Sequence, residues 1–397
     1  MKKQILLILL AITMSTSIGQ MSLKAEIAGN HDRSYWPTDE WTFVIPETVG
    51  MNASLIEDLK KYIDAEVVGL DGIIVVKNGY LVLNEYYNGW KENMEHPLYS
   101  CTKSITSAAV GIAIDKGYFT VDDYVLDFFP NRTFETVDVH KKNITVKNLL
   151  QMQTGLDWDE WSLAYGHPDN DHTAMQRSDD YIQFILDKPM ASDPGTVFVY
   201  CGGASHLLSA IVQQTANMTT WDFLNLYLFN PIGINPGTHL TSPHDVFFGA
   251  HGLHLTPLDM ARFGLLYLNN GTWDGEQIIS ESWVIESTRN YAQIGERYGV
   301  PIQYGYQWWI FDQTYGYFDF LAVGYAGQKI HCFPELDLIV VFTASADINR
   351  DPILNNYIIP AIVGKTKSRI TLDFLPVVIA LFVGVTFKHV IPKKKNH

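Results

Sequence analysis

Tyr99-Ser-Cys-Thr-Lys-Ser104 is the most informative stretch of this sequence. It lies where an extended segment gives way to a strongly helical one, Ser104 to Lys116. Ser100 and Lys103 are three residues apart, so on a helix the lysine amine can reach the serine hydroxyl. A desolvated, neutral lysine is one of few side chains that can take a proton from serine, and a helix N-terminus suits a developing oxyanion. Ser-x-x-Lys also arises by chance about once in such a chain, so the pattern needs partners elsewhere.

The composition describes a well-packed globular protein. Of the 397 residues, 47% are hydrophobic and 18% charged, which is not the balance of a disordered chain. The formal net charge is -15, and no basic stripe is present to neutralise phosphates. We therefore exclude nucleic acid as a partner.

The three cysteines, Cys101, Cys201 and Cys332, form no even disulfide framework and have no metal-ligand spacing. A Cys101–Cys201 bridge is one interpretation. Small buried thiols are the other, which we favour because free cysteine behaves as a compact core residue.

The N-terminus resembles a secretory signal. Met1-Lys-Lys precedes the short apolar run Ile5–Met14, so residues 1–25 are predicted to be a signal peptide. An uncleaved anchor is the alternative, because neither candidate cleavage site is a clean small-x-small match.

The C-terminus contains a second apolar run. Phe374–Phe387 carries no charge, and a basic cluster follows it. We predict a linker at 364–370, a transmembrane anchor at 371–392 and a cytoplasmic basic tail at 393–397. An amphipathic or core helix is the alternative. The expectation is an exported protein whose body lies on the extracytoplasmic face of the membrane.

The order of predicted elements indicates the fold class. The runs 72–77 and 80–87 flank Asn78-Gly79, a strong signal for a hairpin with a type I′ turn, and follow an amphipathic helix at 53–66. Helices are then expected at 144–152, 179–186, 205–216, 221–228 and from Thr256. Strands follow at 304–311, 318–323, 328–333 and 338–343, with a last helix at 353–363. This order predicts an α+β fold: an antiparallel sheet flanked by helices, built from both chain ends, with an inserted mainly helical subdomain.

Two further motifs supply what a serine-lysine hydrolase needs, a second proton handler and a second oxyanion donor. Tyr200 follows the turn Asp193-Pro-Gly-Thr196, and Gly324-Tyr-Ala-Gly-Gln328 leads into a strand. Together with Ser100-Cys-Thr-Lys103, these resemble the three ordered motifs of the serine β-lactamase-like, penicillin-binding superfamily. Three connecting segments resemble its class C-like branch of β-lactamases, carboxylesterases and amide-oligomer hydrolases: 144–156, 255–264 and 304–309.

The resemblance implies one hydrolase domain at 40–363, with an α/β part at about 40–130 and 291–363 and a helical part at about 131–290. It also implies site roles. Ser100 would be the nucleophile, Lys103 its general base and Tyr200 the second acid/base. The backbone N–H groups of Ser100 and Gln328 would form the oxyanion hole. The residues expected to contact substrate are Gly202, Tyr325, Ala326 and Gly327.

Two departures from the family pattern limit the classes of substrate that we expect. Gly202 stands where β-lactamases and transpeptidases carry an asparagine that contacts the substrate amide. Tyr325 stands where they carry lysine or histidine, and it brings no positive charge. Both losses argue against β-lactams and D-Ala-D-Ala peptides and favour an ester or a plain amide.

The segment between the first two motifs is rich in acidic and aromatic groups, Asp157-Trp-Asp-Glu-Trp161 through His172. It could wall the cleft and favour a neutral or cationic substrate. Its Asp and His spacing could also suggest a metal, but no Ca²⁺-loop pattern is present. We predict neither a metal nor a cofactor.

The sequence thus predicts a membrane-anchored serine hydrolase that cleaves a small-molecule ester or amide through an acyl-enzyme. One alternative is a β-lactamase or D-peptidase acting on peptidoglycan-type substrates. The other is a catalytically silent binding or regulatory protein of the same fold, although nucleophile, base and tyrosine are all retained. The oligomeric state is left open.

Overall fold

The computed structural model describes residues 33–134 and 139–363. Within them, eight strands form one antiparallel sheet. The strands are β1 (Leu70–Lys77), β2 (Tyr80–Tyr86), β3 (Ala292–Arg297), β4 (Val300–Tyr304), β5 (Trp309–Ile310), β6 (Phe320–Val323), β7 (Lys329–Phe333) and β8 (Leu338–Ala344). Their order across the sheet is β2-β1-β8-β7-β6-β5-β4-β3.

The first and last parts of the described chain meet near one edge of this sheet, where β1 and β8 lie next to the edge strand β2. The N-terminal strand β1 pairs with the last strand, β8, in a register that places Ile73 opposite Phe342. The turn between β1 and β2 has positive φ at both Asn78 (54°) and Gly79 (81°), as a type I′ turn requires. The predicted hairpin and the predicted sheet built from both chain ends are confirmed.

Helices cover both faces of the sheet. The α-helices of five or more residues in the described part of the chain are α1 (Ala53–Glu66), α2 (Thr102–Asp115), α3 (Val146–Leu150), α4 (Asp171–Gln176), α5 (Tyr181–Asp187), α6 (Gly202–Ala216), α7 (Thr220–Leu224), α8 (Pro257–Leu268), α9 (Glu281–Ser287) and α10 (Ile359–Val363). Short strand pairs join His96–Pro97 to His254–Leu255, Thr241–Ser242 to Val246–Phe247 and Thr272–Trp273 to Glu276–Gln277. The predicted α+β class, an antiparallel sheet flanked by helices with an inserted mainly helical subdomain, is confirmed.

The sheet divides the apolar interior into two cores. One face packs on α1 and α10, with Leu59, Val340 and Ile358 among its buried residues. The other face packs on α8, and α2 and α6 pack against each other in the same core. In α2 every residue from Thr102 to Ala113 is buried, so the helix that follows Ser100 is surrounded by protein on all sides. This burial fixes the start of α2 and therefore the position of Ser100.

One predicted strand is divided in the structure. The run 304–311 was expected to form a single strand, but it forms a hairpin in which Tyr304 of β4 lies opposite Trp309 of β5. Gln307 lies in the turn with φ of 65°, and its side-chain amide donates to the carbonyls of Leu149 and Leu150. The need to satisfy the C-terminal carbonyls of α3 outweighs the strand pattern of the apolar run.

The predicted membrane partner and the predicted membrane localisation are corrected by the structure. In residues 33–134 and 139–363, no helix is long and apolar enough to cross a membrane. The longest helix there, α6, has 15 residues and so extends about 22 Å, against a hydrocarbon core of about 30 Å. An uncharged run establishes hydrophobicity, whereas a span also needs a continuous helix. The predicted signal peptide (1–25), linker (364–370), anchor (371–392) and tail (393–397) lie outside the described residues.

The packing of α2 can be tested at Gly111. A Cβ on this residue would lie 2.4 Å from Cδ1 of Trp283 in α9. We expect Gly111→Ala to lower the free energy of unfolding by about 1–3 kcal/mol, because overpacking outweighs the better helix propensity of alanine. Chemical denaturation measures this. Gly295→Ala, where an added Cβ meets nothing within 4 Å, is the control. Equal stabilities of the two variants would contradict the packing described here.

Candidate active site

Ser100 occupies a tight turn, Tyr99–Cys101, that runs directly into α2. Tyr99 has a backbone φ of 46°, in the left-handed region that residues other than glycine rarely adopt. The segment before β7 approaches this turn so closely that a Cβ on Gly324 would lie 2.2 Å from the Leu98 carbonyl oxygen. Glycine at 324 therefore allows the third motif to lie against the first.

Lys103 lies in the first turn of α2, with only 2% of its surface exposed. Its Nζ is 3.2 Å from the Ser100 Oγ and donates to the Ala250 carbonyl at 2.9 Å. Burial lowers the pKa of Lys103 to about 8, although the charge of Glu160 acts in the opposite direction. A substantial fraction of this amine is therefore neutral near physiological pH, and a neutral amine can accept a proton.

Tyr200 lies two residues before α6, and its neighbour Cys201 caps that helix, where the Cys201 Sγ accepts from the Ala204 N–H at 3.3 Å. The Tyr200 ring centroid is 4.9 Å from the Lys103 Nζ. Burial raises the pKa of Tyr200, as does Glu160, whereas interaction with the Ser100 side chain opposes the rise. The phenol is consequently protonated at neutral pH and can donate. The structure thus brings Ser100, Lys103 and Tyr200 together.

The third motif forms a turn, Tyr325–Gly327, with Ala326 and Gly327 at φ of 55° and 95°. Gln328 follows at the start of β7. Its side-chain amide donates to the Ala344 carbonyl at 2.6 Å, and its own carbonyl accepts from the Gly324 N–H at 2.8 Å. The Cys101 Sγ lies 3.5 Å from the same carbonyl, so the backbone at Gln328 is tied to the residue after Ser100.

The loop between the first two motifs does line the cleft. Trp161 stacks on Tyr200 with ring centroids 5.0 Å apart, and Tyr165 meets Tyr325 edge-on at 6.3 Å. Tyr325 also contacts the Tyr99 ring at 5.5 Å. Trp161, Tyr165 and Tyr325 are each about half exposed and form an aromatic rim beside the half-buried Ser100 and the buried Lys103.

Glu160 is the residue that the sequence analysis missed. It was assigned only to an acidic wall, yet it is 2% exposed and accepts from the Gly202 N–H at 2.6 Å and from the Trp158 Nε1 at 2.8 Å. Gly202 is therefore buried and committed to Glu160 rather than open to the cleft. The flanking tryptophans were the available signal, because a carboxylate between two large apolar residues can be drawn into the interior.

The two thiols near the site do not form a disulfide. Cys101 and Cys201 are free and buried, which agrees with the favoured interpretation. Burial raises the pKa of Cys101 to about 12.

The buried amine of Lys103 should make stability depend on pH. The pKa of Lys103 is about 8 in the folded protein against 10.5 for an ordinary lysine, so between these values the unfolded chain binds more protons. Wild-type stability should therefore rise with pH relative to Lys103→Met, by about 3 kcal/mol between pH 8 and 10.5. Urea denaturation across this range measures the difference. The exposed Lys91, changed to Met, is the control and should show no such change. A constant difference between wild type and Lys103→Met would contradict the burial of a neutral amine.

Comparison with known proteins identifies the family. Residues 59–362 match the β-lactamase family model. The 6-aminohexanoate-dimer hydrolase of Paenarthrobacter ureafaciens is 25% identical over 313 residues, covering 74% of this chain and 76% of that protein.

Solved structures agree at the level of the fold. A Bacillus anthracis protein provisionally assigned as a 6-aminohexanoate-dimer hydrolase has a TM-score of 0.62 at 23% identity, covering 80% of this chain and 83% of that one. A family VIII carboxylesterase has a TM-score of 0.60 at 17% identity, covering 77% and 96%. With the family model spanning most of the sequence, this chain belongs to the β-lactamase family and is a serine hydrolase of that superfamily.

Proposed function

We propose that this chain hydrolyses a carboxylic ester or amide through an acyl-enzyme formed on Ser100. The observation that carries the proposal is the 3.2 Å separation between the Ser100 Oγ and the Nζ of a buried lysine. A neutral Lys103 takes the hydroxyl proton while Oγ attacks the substrate carbonyl carbon. The N–H groups of Ser100 and Gln328 then stabilise the oxyanion.

Tyr200 completes the first half of the reaction. Its protonated phenol donates to the leaving alcohol or amine as the carbonyl–heteroatom bond breaks, leaving the acyl group on Ser100. The phenolate recovers a proton from the Lys103 ammonium, so the pair returns to its starting state. In the second half, a water molecule loses its proton to the same pair and attacks the acyl carbon. The pair passes this proton to the Ser100 Oγ as the bond between Oγ and the acyl carbon breaks. The carboxylic acid is then released and the Ser100 hydroxyl is restored.

The charges around the site support a neutral or cationic substrate. Tyr325 supplies an exposed aromatic ring where a cation would hold a substrate carboxylate, and Glu160 adds a buried negative charge below it. Gly202 offers no side-chain amide to a substrate. The relatives named as a 6-aminohexanoate-dimer hydrolase and a carboxylesterase act on amide and ester bonds by name, which is consistent with this assignment. A β-lactamase or D-peptidase would lack its usual contacts here.

The nucleophile can be tested with a fluorophosphonate probe. We expect the wild type to be labelled at Ser100 and Ser100→Ala to remain unlabelled. Lys103→Ala should be labelled at least about 100-fold more slowly, because general base catalysis is worth about 10²–10⁴-fold. Ser54→Ala removes an exposed hydroxyl from α1 and is the matched control. Unlabelled but correctly folded wild-type protein would support the catalytically silent alternative instead.

The substrate class can be tested with matched aryl esters. We compare the mono-p-nitrophenyl ester of glutaric acid with its neutral methyl ester. The neutral compound should have a kcat/KM about tenfold higher, because Tyr325 carries no positive charge that could attract the carboxylate of the anionic ester. Tyr325→Lys should reduce this difference in kcat/KM between the neutral and the anionic ester. Faster turnover of the anionic ester, or rapid turnover of a chromogenic cephalosporin by wild type, would overturn the assignment.

A further inference from the structure

The carboxylate of Glu160 lies in the interior beside the site, with a partner for each oxygen. Its Oε2 accepts from the Gly202 N–H and the Trp158 indole, and its Oε1 accepts from the Tyr165 hydroxyl at 3.1 Å. The His172 Nδ1 lies 3.7 Å from Oε2, which is an ion-pair distance rather than a hydrogen bond. Burial would raise the pKa of Glu160, but His172, together with Lys103 and the Gly202 N–H, holds it down at about 2. The group is therefore an anion at every pH at which the enzyme would work.

The missing side chain at Gly202 is what makes room for this anion. A Cβ on Gly202 would lie 2.4 Å from the His172 Nδ1 and 3.1 Å from the Glu160 Oε2. Real Cβ atoms do not approach other atoms that closely, so a longer side chain at 202 and the Glu160–His172 pair exclude each other. The glycine at 202 thus leaves room for the buried carboxylate of Glu160.

Glu160 is connected to the reacting groups through Gly202 and Tyr200. The N–H of Gly202, which it holds, begins α6 two residues after Tyr200. Tyr200 in turn packs against the Lys103 amine. A carboxylate in this position restrains the backbone that carries the phenol and places a negative charge close to the amine.

We propose that Glu160 is a positioning residue of this site: its carboxylate seats Tyr200 through the Gly202 N–H and is the counter-charge for Lys103 when that amine takes the serine proton. The inference rests on the function proposed above. The proton moves from the Ser100 Oγ to the Lys103 Nζ as the Oγ–carbon bond forms, so an ammonium develops inside the protein. An isolated ammonium there would be costly, and Glu160 offsets that cost.

Five ionisable groups face Lys103: Cys101 on its own turn, Tyr200 and Cys201 before α6, His251 from the segment that carries Ala250, and Glu160. Burial raises the pKa of Cys101 to about 12 and also raises the pKa values of Cys201 and Tyr200. Burial lowers the pKa of His251 to about 3. None of these partners changes protonation near pH 8, so a titration there belongs to the lysine.

A second buried lysine must be distinguished from Lys103. Burial also lowers the pKa of Lys329 to about 8. Its Nζ, however, lies 3.4 Å from the Gly324 carbonyl, and the charges that act on it are those of Arg350, Cys101, Asp347 and Arg297. Removal of the Glu160 charge should therefore affect the Lys103 titration and leave that of Lys329 in place.

The test is the pH profile of kcat/KM for a neutral aryl ester with wild type and Glu160→Gln. Wild type should lose activity as pH falls through about 8, the pKa of Lys103. In Glu160→Gln the acidic limb should move to lower pH by about one unit, because the protonated lysine loses its counter-charge. The plateau should at the same time fall about 10- to 100-fold, because the ammonium formed during attack is no longer stabilised. If Glu160 had a purely structural role, its substitution would lower the plateau of kcat/KM without shifting the acidic limb of the pH profile.

Two further variants complete the design. Asp157→Asn removes an exposed carboxylate from the same loop as Glu160. It should change neither the acidic limb nor the plateau of the pH profile of kcat/KM. Glu160→Asp keeps the charge at a greater distance and should give a smaller shift in the same direction. If Glu160→Gln does not fold, Glu160→Asp decides alone.

The outcomes separate the two proposals. An acidic limb that stays in place in every folded Glu160 variant overturns the inference, provided that activity still depends on Ser100. Activity that survives Ser100→Ala would instead overturn the proposed function itself.

Discussion

The contact between the Lys103 amine and the Ser100 hydroxyl depends on the packing of the whole molecule. Both residues lie at the start of α2, which is buried between the sheet and the helical insertion. That burial removes water from the amine and makes its neutral form accessible. The same packing brings the loop at Gly324 against the Ser100 turn. A solvent-exposed helix with the same sequence would hold the two residues at similar spacing but would leave the lysine protonated.

The charges of the site are arranged around this one desolvated amine. The family pattern places a cation in the third motif, whereas this chain has the uncharged Tyr325 there and a buried anion at Glu160. This difference in charge affects both the binding of the substrate and the protonation of the base, Lys103. An anion near Lys103 stabilises its protonated form, and the uncharged Tyr325 offers no positive charge to a substrate carboxylate. Gly202 connects the two changes, because only a residue without a side chain leaves room for the Glu160–His172 pair.

Much of the architecture could be predicted because its signals are local. The Asn78-Gly79 turn requires positive φ at both residues, and few other sequences meet that requirement. The helix at 53–66 was predicted with the bounds that the structure gives it, beginning at an Asn52 cap. The division of 304–311 into two strands was not predictable in this way. It depends on Gln307 reaching carbonyls of α3, some 150 residues away in sequence but adjacent in space.

The sequence by itself determined the order of the three motifs, the fold class and the choice of Lys103 and Tyr200 as partners of Ser100, because periodicity, turn chemistry and motif spacing are properties of short segments. Only the tertiary structure decided which of those groups are buried and what they face. Glu160 illustrates the difference. Its neighbours in sequence resemble an exposed acidic loop, and Asp157 and Asp159 are indeed exposed. The folded chain nevertheless encloses Glu160 with Gly202, Trp158 and His172, because burial depends on contacts between segments that are distant along the chain.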